Sequence, residues 1–363
     1  MRTPMNSPDD LVRKTCTDAV TSKACMVGKG YFEDAFVEAF SHRASGGRAQ
    51  RRAPLINRGY YSRTAAIDVA MAQFLAASGG RGQCVVLGAG LDTSFFRIQS
   101  SPARAAELHA YFELDFLAIA ATKKSVIEGD AALLALVRGE IVDGAPAAAA
   151  AAAVAAITTT TDTAPGELHG PKYHLLPADL RDLPAVEASL CRAGWDATLP
   201  TLFVSECVLI YMEVAEADAV VAWAASRCAR AAFVIYEQLH PSDPFGRTMV
   251  VNLKRRGCPL RTIEAYPDEA ALRQRFLSRG WGRVRLADMN EVYTTHLPAC
   301  IGAERIRAIE KLELFDEFEE WHLIQRHYFI ALAINDDAEE GAADSLAAGI
   351  EFMRPTEQAG ARV

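Results

Sequence analysis

Four acidic residues stand just beyond apolar runs: Asp115, Asp179, Glu206 and Glu237. The runs, 110–114, 173–176, 202–205 and 232–236, are short and continuous, as in strands buried on both faces. In an open α/β sheet, ligands bind beyond the carboxyl ends of the strands, so these acids would share one rim. An ionised carboxyl offers two acceptor oxygens. Asp115, 27 residues after Gly88, is placed to accept from both hydroxyls of a ribose. Asp179 is placed to reach a purine amino group, Glu206 to sit beside a cofactor's reactive end, and Glu237 to face a substrate pocket. One such acid reads equally well as a helix N-cap or a solvated strand end. Four on the same rim point to a bound nucleoside.

The rim begins at a glycine turn. Cys84–Leu87 is apolar, and Gly88-Ala89-Gly90-Leu91-Asp92-Thr93 follows. Gly88 and Gly90 let the backbone turn sharply and approach a ligand, and Asp92 or Thr93 can open the next helix. A pyrophosphate-bearing nicotinamide cofactor favours G-x-G-x-x-G. Here the third glycine is missing, and Asp92 would repel a pyrophosphate. A cofactor with a positive sulfonium and no phosphate tolerates many acids, which describes S-adenosylmethionine. The residues therefore predict a methyltransferase.

Positioning these residues requires a sheet. Strands are predicted at 84–87, 110–114, 173–176, 202–205, 232–236, 284–286 and 327–333, separated by helical stretches. That alternation means βαβ units. The expected fold class is α/β: a Rossmann-like S-adenosylmethionine-dependent methyltransferase fold with a seven-stranded, mostly parallel sheet and helices on both faces. N-terminal helices and substrate-side helical insertions add to it. Residues 1–22 read as a flexible tail, 23–336 as the methyltransferase domain and 337–363 as a polar C-terminal tail. Phe32, Phe36 and Phe40 recur at helical spacing from Tyr31, and a second amphipathic helix is expected over 64–77. Residues 145–163, nearly all Ala and Thr, read as an exposed or disordered insertion without a role in the chemistry.

Composition narrows the alternatives. The net charge of −8 argues against a general nucleic-acid binder, although Arg43, Arg48, Arg51, Arg52, Arg58 and Arg63 gather locally. The 8 cysteines are scattered without a C-x-x-C pair, so neither a disulfide framework nor a zinc site is expected. No apolar run reaches the ~18 residues of a membrane helix, and residues 1–10 do not form a signal peptide. The expected location is cytoplasmic or nuclear, without a membrane partner, and the expected state is a monomer. The nucleophile elbow, the H-E-x-x-H motif and the P-loop are all absent.

Several stretches, in order, resemble the leucine carboxyl methyltransferases, which methylate the C-terminal leucine of the protein phosphatase 2A catalytic subunit. They are Asn57–Arg63, Leu87–Thr93, Tyr111–Asp115, Ala178–Leu183, Leu199–Thr201, Ser205–Met212, Tyr236–Gln238, Asp243–Gly246 and Asn252–Cys258. The resemblance spans about residues 15–333. It implies that Lys23, Arg63, Gly88, Asp115, Asp179, Leu180 and Glu206 contact S-adenosylmethionine, and that Tyr211 stands next to the reaction centre. Gly90 joins the cofactor set from the glycine turn itself. A related branch, linked to a modified tRNA base, carries an added repeat domain that this chain is expected to lack.

The implied acceptor is an α-carboxylate, already ionised at neutral pH with an unperturbed pKa of roughly 3.5, so no general base is needed. Catalysis would then rest on position and orientation, which can supply roughly 7–11 kcal/mol. Arg63 is the candidate to pair with a carboxylate, of the cofactor or of the substrate, and Tyr211 to donate a hydrogen bond to the substrate. Two alternatives stay open: O-methylation of a small carboxylic acid or polyketide on the same fold, and a non-catalytic S-adenosylmethionine-binding module.

Overall fold

The computed structural model describes residues 8–46, 51–140, 164–336 and 345–354. The Ala/Thr insertion lies outside the described residues. Each apolar run read as a strand forms one: β1 (Gly82–Leu87), β2 (Leu108–Asp115), β4 (Tyr173–Pro177), β5 (Thr201–Glu206), β6 (Ala231–Gln238), β7 (Arg283–Asp288) and β8 (Tyr328–Asn335). An eighth, β3 (Leu168–His169), pairs antiparallel with β4 at the sheet edge. At two residues it is too short to leave a pattern in the sequence.

The strand order is β3-β4-β2-β1-β5-β6-β8-β7. Strands β4, β2, β1, β5 and β6 run parallel, while β8 lies antiparallel between β6 and β7. Because β1 is flanked by β2 on one side and β5 on the other, the sheet grows outward from it in both directions. The carboxyl end of β1 is therefore the topological switch point where such sheets bind ligands. All six residues of β1 are buried. Cys84 and Val86 join the core beneath the N-terminal helices, and Val85 and Leu87 join the core beneath helices Val214–Arg227 and Glu269–Ser278. Successive side chains point to opposite faces, so a continuous apolar run serves both layers.

The helical N-terminal part differs from the expectation. Residues 8–28, read as mostly tail, form helix α1 (Pro8–Gly28). Val20, Thr21, Ser22, Lys23 and Met26 are buried. Because three of these five are polar, the apolar period that announces a helix is missing. Helix α2 begins only at Val37 and ends at Ser45, because the Asp34 carboxylate accepts the backbone N–H groups of Phe36 and Val37 and caps it there. Helix α3 runs from Pro54 to Ala77, ten residues earlier than expected. Its first half buries Asn57, Arg58 and Ser62, which hides the amphipathic pattern.

The C-terminal segment is also not simply a tail. Leu346, Ile350 and Phe352 are buried. Arg285 donates to the carbonyls of Ala347 and Phe352 at 2.8 and 3.1 Å. The Gln73 side-chain carbonyl accepts the N–H groups of Glu351 and Phe352. Partners on β7 and α3 make this segment part of the body, and its own composition does not reveal them.

Candidate active site

A cavity of about 610 Å³ opens at the switch point, with α1 as one wall. Lys23, Arg63, Gly88, Gly90 and Asp115 line it. So do Asp179, Leu180, Glu206 and Tyr211. Elements far apart in the chain bring these positions to one space.

At the glycine turn, Gly88 and Gly90 adopt φ of +66° and +55°, in the left-handed region. A Cβ on Gly88 would come within 2.6 Å of the Val208 side chain, so the turn packs directly against the loop after β5. Asp115 closes this end. One carboxylate oxygen accepts the Gly90 N–H and the other the Phe116 N–H, each at 2.7 Å. Each oxygen keeps a lone pair for a further donor. Burial pushes the Asp115 pKa up, against the pull of the two backbone donors. Both oxygens of Asp179 accept from Arg181, and this holds its pKa below the usual carboxylate range. Arg181 in turn reaches Asp9 of α1 at 3.0 Å and ties the helix over the cavity.

At the other end, the Arg63 Nε donates to Glu206 across the cavity wall. The guanidinium lies over the Tyr236 ring at 4.8 Å and near the Tyr60 ring at 5.3 Å. Burial alone would lower the Arg63 pKa, but Glu206 and the surrounding groups raise it well above its ordinary value. With Nε engaged, the two terminal amino groups remain as a planar pair of donors. Tyr211 ends a 3-10 turn, Leu209–Tyr211. Burial raises its phenol pKa well above 10.0, so it stays protonated and able to donate. Cys207, between Glu206 and this turn, holds a left-handed φ of +54°.

Glu237 is a correction. It lies one residue before the end of β6 but does not face a pocket. It is 1% exposed and sits behind the cavity wall, where it accepts the Ile210 N–H at 2.7 Å. The preceding strand residue, Tyr236, is the one that reaches Arg63.

Beneath the glycine turn lies a charged network that the sequence does not announce. Lys23 Nζ donates to the Thr93 hydroxyl at 2.8 Å and lies 3.4 Å from both Asp34 and Asp92. Lys123, fully buried, pairs with Glu113 at 2.5 Å and donates to the Asp92 carbonyl at 2.7 Å. Arg97 bridges Asp34 and Asp68. Burial would raise the Asp92 pKa, but Lys23, Arg97 and Lys123 hold it far below the usual range. Asp92 is therefore an anion fixed under the loop. These partners come from five separate helices and strands and the loops between them, so no local spacing betrays them. Among the described residues no group of His, Cys, Asp and Glu could hold a metal ion, and no helix is long and apolar enough to cross a membrane.

A family model described as leucine carboxyl methyltransferase matches residues 12–225. A leucine carboxyl methyltransferase 1 homolog of Arabidopsis thaliana is 38% identical over 326 residues, covering 90% of this chain and 89% of that protein. Leucine carboxyl methyltransferase 1 of Bos taurus is 33% identical, covering 93% and 94%. The human tRNA wybutosine-synthesizing protein 4 is 38% identical over 331 residues, covering 90% of this chain but 44% of that protein. The glycine turn, Asp115 and the Arg63–Glu206 pair all fall within the matched residues. The chain therefore belongs to the leucine carboxyl methyltransferase family and is an S-adenosylmethionine-dependent carboxyl methyltransferase.

Proposed function

We propose that this enzyme transfers a methyl group from S-adenosylmethionine to the C-terminal leucine α-carboxylate of the protein phosphatase 2A catalytic subunit. The observation that carries the reading is Arg63: largely buried with its side chain 13% exposed, held through Nε by Glu206, and sharing one cavity with the protonated Tyr211. A carboxylate entering a closed site needs its charge matched, and Arg63 keeps a two-pronged donor face for it.

The cavity also suits the cofactor. Its volume lies within the roughly 300–1,000 Å³ usual for ligand sites. Asp115 keeps a lone pair on each oxygen beside Gly90, as a ribose diol requires. Leu180, Ile119 and Phe116 supply apolar walls at that end. Lys23 would hold the amino-acid carboxylate, and Glu206 its ammonium. S-adenosylmethionine brings an electrophilic methyl group on sulfur. The protein's own task is to hold the acceptor carboxylate in line with it and to exclude water. Tyr211 donates to the acceptor and Arg63 neutralises it. The carboxylate is already ionised, so no side chain has to remove a proton.

A second reading has one observation in its favour: the equal identity to the human wybutosine-synthesizing protein. It would place the acceptor on tRNA. The net charge of −8 disfavours that, because phosphate contacts require an excess of basic side chains. Tritiated S-adenosylmethionine with four acceptors separates the readings. They are phosphatase catalytic subunit, the same subunit lacking its last leucine, total tRNA and a panel of small carboxylic acids. Label only on the intact subunit is expected. Equal label on the truncated subunit overturns the leucine assignment. Label confined to tRNA or to small acids replaces it, and cofactor binding without any label would mark a binding module.

A further inference from the structure

We propose that Glu237 is a positioning residue for methyl transfer: its buried carboxylate gathers the backbone N–H groups of Val208, Leu209 and Ile210 and fixes the turn that carries Tyr211. The inference rests on the reading of Tyr211 as a donor to the acceptor carboxylate.

The geometry around this turn is unusual. Glu206 ends β5 in the cavity, and Tyr211 re-enters the cavity only five residues later. To achieve this, Cys207 adopts a left-handed φ of +54° and Val208 leaves the helical region at φ −121° and ψ −60°. A left-handed non-glycine residue is strained and persists only where its surroundings impose it. Two sets of contacts impose it here. The Cys207 N–H donates to the Tyr236 carbonyl at 2.8 Å, and Arg261 donates its backbone N–H to the Ile210 carbonyl at 2.7 Å. The Glu237 carboxylate accepts the Ile210 N–H at 2.7 Å and is also bonded by the N–H groups of Leu209 and Val208. These are the N–H groups a 3-10 turn leaves unpaired at its start. Val208, held this way, packs against the missing side chain of Gly88. One carboxylate thus sets both the approach of Tyr211 and the contact between the turn and the glycine loop.

An anion is needed for this. A carboxylate is acceptor-only and presents two oxygens to three converging donors, whereas an amide would turn an NH₂ group toward one of them. Burying the charge is costly, and the nearest opposite charge, Arg275 of helix Glu269–Ser278, is itself bound to Asp218 at 2.9 Å. The other titratable neighbour is the Cys207 thiol, which burial keeps protonated with its pKa raised to about 12. Burial therefore pushes the Glu237 pKa up to about 7, against Arg275 and the three backbone donors. The ordinary value is 4.5, so between that and about 7 the folded protein binds a proton that the unfolded chain does not. Through Glu237, stability falls as pH rises across this window, while the anchoring form is gained. The fold gives up stability to hold an anion that the turn requires. A carboxylate kept only for stability has no such trade-off.

The test is Glu237→Gln. At a pH about one unit above the Glu237 value, kcat is expected to fall on the order of 10- to 100-fold, the cost of a misplaced group near the reacting atoms. Cofactor Kd and KM should stay within about twofold and the melting temperature should not drop. Retained kcat overturns the proposal. So does a loss of kcat accompanied by equal losses in melting temperature and cofactor binding, which would make the role structural. Should the variant not fold, the pH profile of kcat for the unaltered enzyme decides. An acidic limb near pH 7 is expected, since the acceptor carboxylate and Tyr211 titrate elsewhere, and a flat profile overturns the proposal. If the unaltered enzyme methylates no carboxyl acceptor, the functional reading fails on its own. The amide shifts of Val208, Leu209 and Ile210 then test the anchor, and they should titrate together near pH 7.

Discussion

At the glycine-loop end of the cavity, each carboxylate has a partner close in the chain: Asp115 the N–H of the next residue, besides that of Gly90 25 residues back, and Asp179 the Arg181 side chain two residues on. At the Arg63 end the partners are distant. Arg63 and Glu206 are 143 residues apart, and Glu237 meets Ile210 across 27. Local partners make a rigid receptor that is easily rebuilt around a changed side chain. Distant partners couple several elements, so losing one disturbs orientation throughout. The first end suits holding a ligand, and the second suits aligning a reaction.

The buried network beneath the glycine turn offers the largest test. Lys123→Met leaves Glu113 without its ion-pair partner in a fully buried site. A loss on the order of 3–5 kcal/mol in unfolding free energy is expected. A change under about 1 kcal/mol in denaturant melts would mean that the Tyr173 hydroxyl alone, at 2.6 Å, satisfies Glu113. Next in size is Arg63→Ala. Turnover should drop on the order of 10²- to 10³-fold while the fold survives, because an electrostatic contact to the reacting carboxylate is removed. Normal single-turnover rates would erase the distinction between the two ends. Asp115→Ala should weaken cofactor binding by calorimetry by about 1–3 kcal/mol, with little effect on kcat at saturation. Unchanged affinity would count against the ribose role.

The smallest effect concerns the rim. Arg256, mostly exposed and 2.6 Å from Asp18 of α1, lies beside Lys254 and Arg255. Reversing these three charges is expected to slow association with an acidic protein substrate by a few-fold at low salt, with kcat unchanged. A rate independent of ionic strength would remove this surface from substrate recognition.

Much of the site was legible because its signals are local. The runs 84–87, 110–114 and 202–205 are apolar at all but Glu113 and Ser205, which suits strands covered on both faces. Parallel strands then carry the residues just beyond their ends to one rim, so Gly88, Asp115, Asp179 and Glu206 converge in one cavity as expected. The misplacement of Glu237 has the same origin. The pattern fixes roughly where a strand ends but not which way its side chains turn, and in β6 it is Gln238, one residue on, that lines the cavity while Glu237 is buried behind it.

By itself, the order of residues determined the strands, the parallel sheet, the glycine turn and the acid-bearing rim, because each depends on periods and spacings of a few residues. Only the tertiary structure decided that residues 8–28 are a helix over the cavity and that residues 345–354 pack onto the body. It alone decided that Arg63 leans on Glu206 and that Lys123 is buried against Glu113. In each case polar groups are stabilised by partners from elsewhere in the chain. The free energy that orders them lies in contacts between elements, and no stretch of sequence contains it.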